Sequence, residues 1–319
     1  MDADFQTALA EGDLVALQQC PKSYLHNHAF LGGAREFLRQ RTGRDIAPLD
    51  RRLTSMADMQ AWVSGAIGGL FDGREGRLLA FEATLVQARR DGVTRLEIGE
   101  DVWATTLFHG ADELTRDLQR LHALVAPVIQ WAPQLGLSRH CSPASLERWL
   151  TPFLELGFYQ TLDLSGDELA QPIEAFRPIF RQAKQAGLRV KAHVGEWGSA
   201  DDTWRAVEEL ELDEVQHGIA AAASSPSIMQ RLADRCIRLN LCPTSNVMLG
   251  RVESLAEHPI RRLFHAGVPV TVNTDDALVF GQSVSAEFLA LYRAGTLSAA
   301  ELDRIRIEGL SDRPTVKNS

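Results

Sequence analysis

The chain has 319 residues, of which 45% are hydrophobic, and it carries 33 Lys and Arg against 42 Asp and Glu, a formal net charge of −9. This acidic balance excludes the basic surface that a nucleic acid partner requires, and four cysteines are too few for a disulfide scaffold. An acidic N-terminal stretch and the lack of any apolar run approaching the roughly 18–20 residues that span a bilayer predict a cytoplasmic protein without a membrane partner.

Short strand-like runs alternate along the chain with amphipathic helical stretches. In chain order the runs are SYLHNHA (23–29), TRLEIGE (94–100), GLSRH (136–140), YQTLDLSG (159–166), LRVKAHVGE (188–196), EVQHGI (214–219), IRLNLCP (237–243) and VPVTVNTDD (268–276). This alternation is typical of βα units around a parallel sheet. Eight runs with seven intervening helical segments predict an α/β fold, a closed (β/α)8 barrel of TIM type that forms a single domain over residues 1–319.

Two segments depart from this rhythm. The second run begins at 94, 71 residues after the first begins at 23, whereas a simple βαβ unit needs only about 30. Segment 53–71 (LTSMADMQAWVSGAIGGLF) is expected to add one or two helices over the strand ends, and its composition fits an ordinary peripheral helix equally well. Residues 311–319 lack apolar periodicity and are expected to form a flexible tail.

Histidines and an aspartate lie at or near the ends of the strand-like runs. They are His26, His28, His193, His217 and Asp275. In a strand, His26 and His28 point to the same face because side chains alternate. Active sites of barrels lie at the carboxyl ends of the strands, and imidazole with carboxylate suits zinc. The pattern favours one zinc ion with a position left open for water.

Two other metal chemistries do not fit the sequence. A cytidine-deaminase-type site requires H-x-E followed by P-C-x-x-C, and both motifs are missing. A two-metal site needs a further bridging ligand, and the fourth run has no lysine to provide one. His140, at the end of the third run, fits a pocket-lining role and a structural hydrogen bond equally well. The remaining histidines fall on predicted loops or helices and receive no role: His109, His122, His258 and His265.

Acidic residues stand beside the proposed ligands. Glu196 follows His193 by three residues, and partial burial would raise its pKa and make it a proton donor, although a solvated loop carboxylate is the simpler alternative. Asp275 and Asp276 end an apolar run, so one can bind metal while the other contacts substrate. Gly166 can expose its N–H to a ligand or can simply form a turn.

Several motifs occur together in order along residues 21–280: PKSYLHNH, LDLSGDE, KAHVGEWGS, VQHG, CPTSNVMLG and HPIRRLFHAGVPVTVNTDDALVF. Together they resemble the adenosine deaminase family of the metal-dependent amidohydrolase superfamily. The resemblance implies hydrolytic deamination of adenosine, adenine or a related amino-substituted purine, with release of ammonia. It also implies one Zn²⁺ per chain, and the residues that would hold it are His26, His28, His193 and Asp275.

The same resemblance implies roles for residues that do not bind the metal. His217 would be a base or an electrostatic partner for the attacking water, and Glu196 would protonate the ring. Asp276 and the N–H of Gly166 would bind the purine. The same barrel and metal site are also compatible with hydrolysis of a non-purine heterocycle, and a catalytically silent binding protein is a third possibility.

The loop beyond His28 departs from the family pattern. Nucleoside deaminases of the family continue with Leu-Asp-Gly, whose Asp binds a ribose hydroxyl, and relatives acting on free adenine have Leu-Glu-Gly. Here the residues are AFLGG, so the acid is missing and Phe30 is expected to be a substrate contact. A buried sugar hydroxyl without that partner loses about 1–3 kcal/mol. Trp197 and Gln216 also replace small residues and are expected to reshape the pocket.

Overall fold

A computed structural model of the chain describes residues 4–223 and 226–312, in which eight parallel strands form one sheet in the order β1 to β8. Each strand pairs with the next along the chain. The strands are β1 (Lys22–Tyr24), β2 (Val93–Asp101), β3 (Gln130–Ser138), β4 (Thr161–Ser165), β5 (Arg189–Val194), β6 (Glu214–His217), β7 (Arg238–Leu241) and β8 (Val270–Val272). This sheet confirms the predicted (β/α)8 barrel.

Helices fill every interval between successive strands, and further helices precede β1 and follow β8. They are α1 (Phe5–Glu11), α2 (Leu14–Gln19), α3 (Arg35–Thr42), α4 (Met56–Ala66), α5 (Gly73–Arg90), α6 (Ala111–Val125), α7 (Pro143–Leu156), α8 (Arg177–Gln185), α9 (Ala200–Leu210), α10 (Pro226–Asp234), α11 (Pro243–Met248), α12 (Ile260–His265), α13 (Ala277–Phe280), α14 (Val284–Arg293) and α15 (Ala299–Leu310). Short 3-10 helices lie at 68–71, 102–107, 173–176, 219–222 and 255–257. Within the described ranges, every helix is too short or too polar to cross a membrane.

The barrel closes between β8 and β1 largely through side chains. Oδ1 of Asn273 accepts hydrogen bonds from the backbone N–H groups of Leu25 at 2.7 Å and His26 at 3.2 Å. Just beyond the two strands, Asn27 and Asp275 form an isolated parallel bridge. The buried amide of Asn273 thus replaces ladder bonds that two three-residue strands are too short to supply.

Strand boundaries differ from the sequence prediction at two places that affect the site. β3 begins at Gln130, six residues before the predicted start at 136. The prediction missed this start because Pro133 has no N–H and is typical of a strand breaker, although it lies in the centre of the strand. β1 ends at Tyr24, so His26 and His28 lie beyond the strand rather than in it. The backbone bends at His26, and Asn27, between the two histidines, forms the isolated bridge to Asp275.

Segment 53–71 forms α4 and the 3-10 helix at 68–71, as predicted, and it covers part of the mouth of the barrel. The main apolar core lies between the strands and the outer helices, and a second apolar cluster joins α3 and α4 to the loop after β1. At the opposite end of the barrel, the carbonyls of Ser311 and Asp312 accept hydrogen bonds from Arg238 and Arg189. The first two residues of the predicted tail are therefore anchored, and 313–319 lie outside the described residues.

Candidate metal centre and active site

The residues singled out from strand ends converge at the carboxyl end of the barrel. Oδ1 of Asp275 lies 3.4 Å from Nε2 of His26 and 3.2 Å from Nε2 of His28. Nε2 of His193 lies 3.2 Å from Nε2 of His28. Donor atoms of His26, His193, His217 and Asp275 lie within 4.8 Å of one another, and those of His28, Asp275 and Asp276 form a second such group. The two groups share Asp275.

Backbone turns at the strand ends aim two of these side chains inward. Asp275 and His217 adopt left-handed conformations, with φ of 61° and 63°. Such angles are uncommon for residues other than glycine and concentrate at functional sites, where the surrounding fold holds them.

The buried ring nitrogens fit a metal ion. Nδ1 of His26 is 2.9 Å from the carbonyl oxygen of Asn240, and Nδ1 of His193 is 3.2 Å from that of Leu164. Donation by Nδ1 to a carbonyl leaves Nε2 unprotonated, which is the usual arrangement around a metal-binding histidine. Nε2 of His26 is fully buried and makes no hydrogen bond within the described chain. A cation in this cluster would satisfy it.

Asp275 is held by a residue that the sequence analysis did not assign. The hydroxyl of Ser245, on α11, donates to Oδ2 of Asp275 at 2.7 Å, which leaves Oδ1 facing the histidines. Both residues are buried. Ser245 belongs to the CPTSN motif, so the motif was recognised without the contact that explains its serine.

Glu196 lies beside His217, with its Oε1 3.4 Å from Nδ1 of the histidine. Burial, with a further contribution from the negative charge of Asp275, raises the pKa of Glu196 well above its usual value. Burial also lowers the pKa of His217 well below its usual value. The raised pKa of Glu196 therefore favours its protonated carboxylic acid form, and the lowered pKa of His217 favours the neutral imidazole.

Asn246 links this pair to a histidine that received no role from the sequence. Its Nδ2 donates to Oε1 of Glu196 at 2.9 Å and lies 3.3 Å from Nδ1 of His217. Its Oδ1 is 3.2 Å from Nε2 of His258, whose Nδ1 accepts from the backbone N–H of Ile260 at 3.1 Å. That acceptor role leaves the proton of neutral His258 on Nε2, so the orientation of the Asn246 amide is determined. His258 is fully buried, which lowers its pKa to about 3.

Glu168 supports the loop that carries Glu196. Its carboxylate accepts hydrogen bonds from the backbone N–H groups of Gly195, at 2.6 Å, Trp197 and Gly198. Three such bonds determine the path of residues 195–198, and hence the direction of Glu196. The sequence analysis included Glu168 in the motif LDLSGDE but did not assign it this role.

The two proposed ring contacts lie on the same cavity. Oδ1 of Asp276 is buried and lacks a hydrogen-bond partner within the described chain, and burial, then the charge of Asp275, raises its pKa to about 8. Gly166 has φ of 96°, a conformation that strains other residues. A Cβ there would lie 3.1 Å from Cδ2 of His140. His140 lines the cavity, and its Nε2 accepts a hydrogen bond from the N–H of Asp167 at 3.3 Å. It therefore has both of the roles considered from the sequence, pocket lining and a structural hydrogen bond.

A cavity of about 880 Å³ opens from the cluster toward α4. Phe30 and Trp197 line it, as predicted. Gln216 does not, and that prediction is wrong: its amide lies in the barrel interior, where it donates to Oδ2 of Asp163 at 3.1 Å and accepts from Asn240 at 2.9 Å. The side chain of Gln216 points inward because it sits inside β6, whereas His217 ends the strand.

A (β/α)8 barrel with a buried histidine and aspartate cluster at the carboxyl ends of its strands is an arrangement typical of metal-dependent enzymes. The sequence model of the adenosine deaminase family matches residues 122–313. A putative adenosine/adenine deaminase of Treponema pallidum (strain Nichols) is 33% identical over 279 residues, which cover 87% of this chain and 93% of that protein. The chain belongs to the adenosine deaminase family, whose members are metal-dependent hydrolytic deaminases acting on purine C–N bonds.

Solved structures agree with this placement. The adenine deaminase of Arthrobacter aurescens superposes with a TM-score of 0.77 at 25% identity, over 91% of this chain and 93% of that one. An amidohydrolase of Burkholderia ambifaria with bound Zn superposes with a TM-score of 0.74 at 21% identity, over 91% and 84% of the two chains, and shows the same fold.

Proposed function

We propose that the chain is a zinc-dependent deaminase of adenosine, adenine or a related amino-substituted purine, with His26, His28, His193 and Asp275 holding one zinc ion. The observation that carries this proposal is the convergence of three imidazole nitrogens and one carboxylate beside a buried glutamate whose pKa is raised. A bound zinc ion would supply a Lewis acid that lowers the pKa of water toward 7. The other steps belong to side chains of the chain itself.

Glu196 supplies a proton. Because its raised pKa favours the protonated form, it can donate to a ring nitrogen of the substrate and make the neighbouring amino-bearing carbon electrophilic. The amide of Asn246 holds Oε1 of Glu196, which leaves the other carboxyl oxygen for the substrate. Asp276, with its unpartnered Oδ1 and a pKa of about 8, binds a second ring nitrogen, and the N–H of Gly166 binds the ring edge.

His217 orients the attacking water as an N–H donor. The amide of Asn246 donates toward Nδ1 of His217, so the proton of the neutral imidazole lies on Nε2. Of the two roles that the family resemblance implies, this hydrogen bond favours the electrostatic partner over the base. It also explains why His217 is not counted among the ligands, although its donor atom lies in the cluster.

Neighbouring carboxylates allow a matched test of the metal site. Asp275→Asn is expected to abolish both zinc binding and ammonia release from adenine and adenosine, because it removes the negative charge that lies beside His26 and His28. Asp276→Asn is expected to keep one zinc per chain and to weaken substrate binding. Zinc is measured by elemental analysis after gel filtration. Full zinc content in Asp275→Asn would refute the ligand set. Formation of ring-opened products without ammonia by the wild-type enzyme would favour the non-purine alternative.

The cytoplasmic location and the single-domain organisation stay predictions from the sequence.

Removal of zinc with a chelator and its return test the cofactor separately from the substrate. Activity is expected to disappear on chelation and to return fully at one equivalent of zinc per chain. Recovery only at two equivalents would contradict the proposed single-metal site.

A further inference from the structure

One wall of the cavity is apolar. It is formed by Phe30, Leu31, Met59, Val63, Phe71 and Leu249. The rings of Phe30 and Phe71 lie 5.2 Å apart in an edge-to-face contact, and both belong to the apolar cluster that joins α3 and α4 to the loop after β1. Phe30 and Val63 are only half-buried, so they present apolar surface to the cavity. Such surface is stabilised when an apolar group of a ligand covers it.

The charges around the cavity disfavour a phosphate. The carboxylates that line it are Asp72, Asp101, Asp163, Glu168, Glu196, Asp275 and Asp276. Among the lining residues in the described ranges, Arg77 is the single lysine or arginine. Both Nε, at 2.9 Å, and Nη2 of Arg77 donate to Oε2 of the buried Glu100. Its guanidinium also lies 4.9 Å from the ring centroid of Phe30.

Arg77 is therefore committed to contacts within the protein. A phosphate that drew Arg77 away would leave the carboxylate of Glu100 buried without its partner, which is strongly unfavourable. Among the described lining residues, no second lysine or arginine offers a phosphate a partner. A sugar placed on the apolar wall would bury hydroxyl groups against carbon atoms, without partners.

Resting on the proposed function, we propose that the site takes an aminopurine that carries an apolar substituent and no phosphate. The purine lies at the histidine cluster with its amino-bearing carbon toward the metal, and the substituent covers the wall formed by Phe30, Val63 and Phe71. The cavity volume of about 880 Å³ leaves space for it, since pockets for drug-sized ligands measure about 300–1,000 Å³. The reaction itself is unchanged: water replaces the exocyclic amine, which leaves as ammonia or as the alkylamine.

A panel of five compounds tests this substrate class with the zinc-loaded enzyme. It consists of adenine, adenosine, AMP, N6-butyladenine and 9-butyladenine, and formation of the corresponding oxopurine is measured by chromatography. One of the two butyl compounds is expected to have the highest kcat/KM, about 10-fold or more above adenine, as for an added apolar group in a fitting pocket. AMP is expected to be the poorest substrate. A value for adenine, adenosine or AMP that equals or exceeds both butyl compounds would overturn the inference.

Failure of the proposed function has a different signature. In that case none of the five compounds is converted although zinc is fully bound, and the inference falls with it. A preference for adenine, adenosine or AMP rejects the inference alone and leaves the deaminase intact.

A matched pair of valines tests where the substituent lies. Val63→Thr adds a hydroxyl to the apolar wall at nearly constant volume. The measured quantity is the ratio between kcat/KM for the better butyl compound and kcat/KM for adenine, and it is expected to fall by about fourfold. Val128→Thr makes the same change at a valine that is 86% exposed, outside the cavity, and is expected to leave the ratio unchanged. An unchanged ratio in Val63→Thr would contradict contact between the substituent and this wall.

Discussion

Replacement of Glu196 by glutamine removes an acidic proton beside the histidine cluster while keeping the size of the side chain. The amide oxygen of glutamine can still accept the 2.9 Å hydrogen bond from Asn246, and Glu196 is outside both groups of metal donors. The free energy of unfolding is therefore expected to change by no more than about 1 kcal/mol. Zinc content is expected to stay at one per chain.

The effect on catalysis is expected to be large. General acid catalysis contributes about 10²–10⁴-fold, which corresponds to about 3–5 kcal/mol of transition-state stabilisation. The wild-type enzyme is expected to lose kcat as the pH rises through the raised pKa of Glu196, because the proton is present below that pKa and lost above it. This alkaline limb is expected to be missing from the residual activity of Glu196→Gln.

Initial rates of ammonia release between pH 5 and 10, with zinc analysis of each sample, measure these effects. Glu253→Gln is the control, because that side chain is 82% exposed and lies on the surface. The reasoning is refuted by a Glu196→Gln enzyme that retains zinc and has a kcat within about threefold of wild type, well under the loss expected for a general acid.

Three further substitutions follow from the same contacts. Asn246→Asp places a negative charge beside Glu196, which raises the pKa of Glu196 further. The alkaline limb of kcat is therefore expected to move to higher pH, and an unmoved limb would contradict the contact. Gly166→Ala is expected to cost about 1–3 kcal/mol of unfolding free energy in urea and to raise KM. The control Gly187→Ala, with φ of 86° and open space around it, is expected to share the strain without the KM effect. Glu287→Gln is expected to raise the melting temperature at pH 9 more than at pH 6, because burial raises the pKa of Glu287 to about 8 and its ionisation above that pH destabilises the fold; equal shifts would argue against a buried acid.

The barrel was predictable because each strand has its own local signal. Apolar and β-branched residues mark the runs that became β4 to β8. The start of β3 was missed because Pro133 reads as a breaker, and only its neighbours in the sheet reveal that its missing N–H is tolerated there. Parallel pairing involves partners far apart in sequence, so strand order followed from the repeat of βα units rather than from any single strand.

The candidate site was predictable where function depends on the end of a strand. His193, His217 and Asp275 lie at the ends of β5, β6 and β8, and the fold brings all strand ends of one polarity together. Gln216 was misplaced because its side chain lies deeper in the barrel, where its amide bonds to Asp163 and Asn240 rather than lining the cavity. His258 was passed over because its partner, Asn246, lies on α11, and no local pattern signals a hydrogen bond between a loop and a helix.

The sequence by itself determined the barrel, the histidine and aspartate cluster and the family, because these depend on periodicity and on motifs in chain order. The tertiary structure alone decided what surrounds those residues: the carboxylate of Glu168 on loop 195–198, Ser245 on Asp275, and the amide of Asn246 between Glu196 and His217. It also decided that Arg77 is bound to Glu100 and that Phe30 faces an apolar wall. Hydrogen bonds, burial and pKa shifts arise from residues distant in sequence that the fold brings into contact.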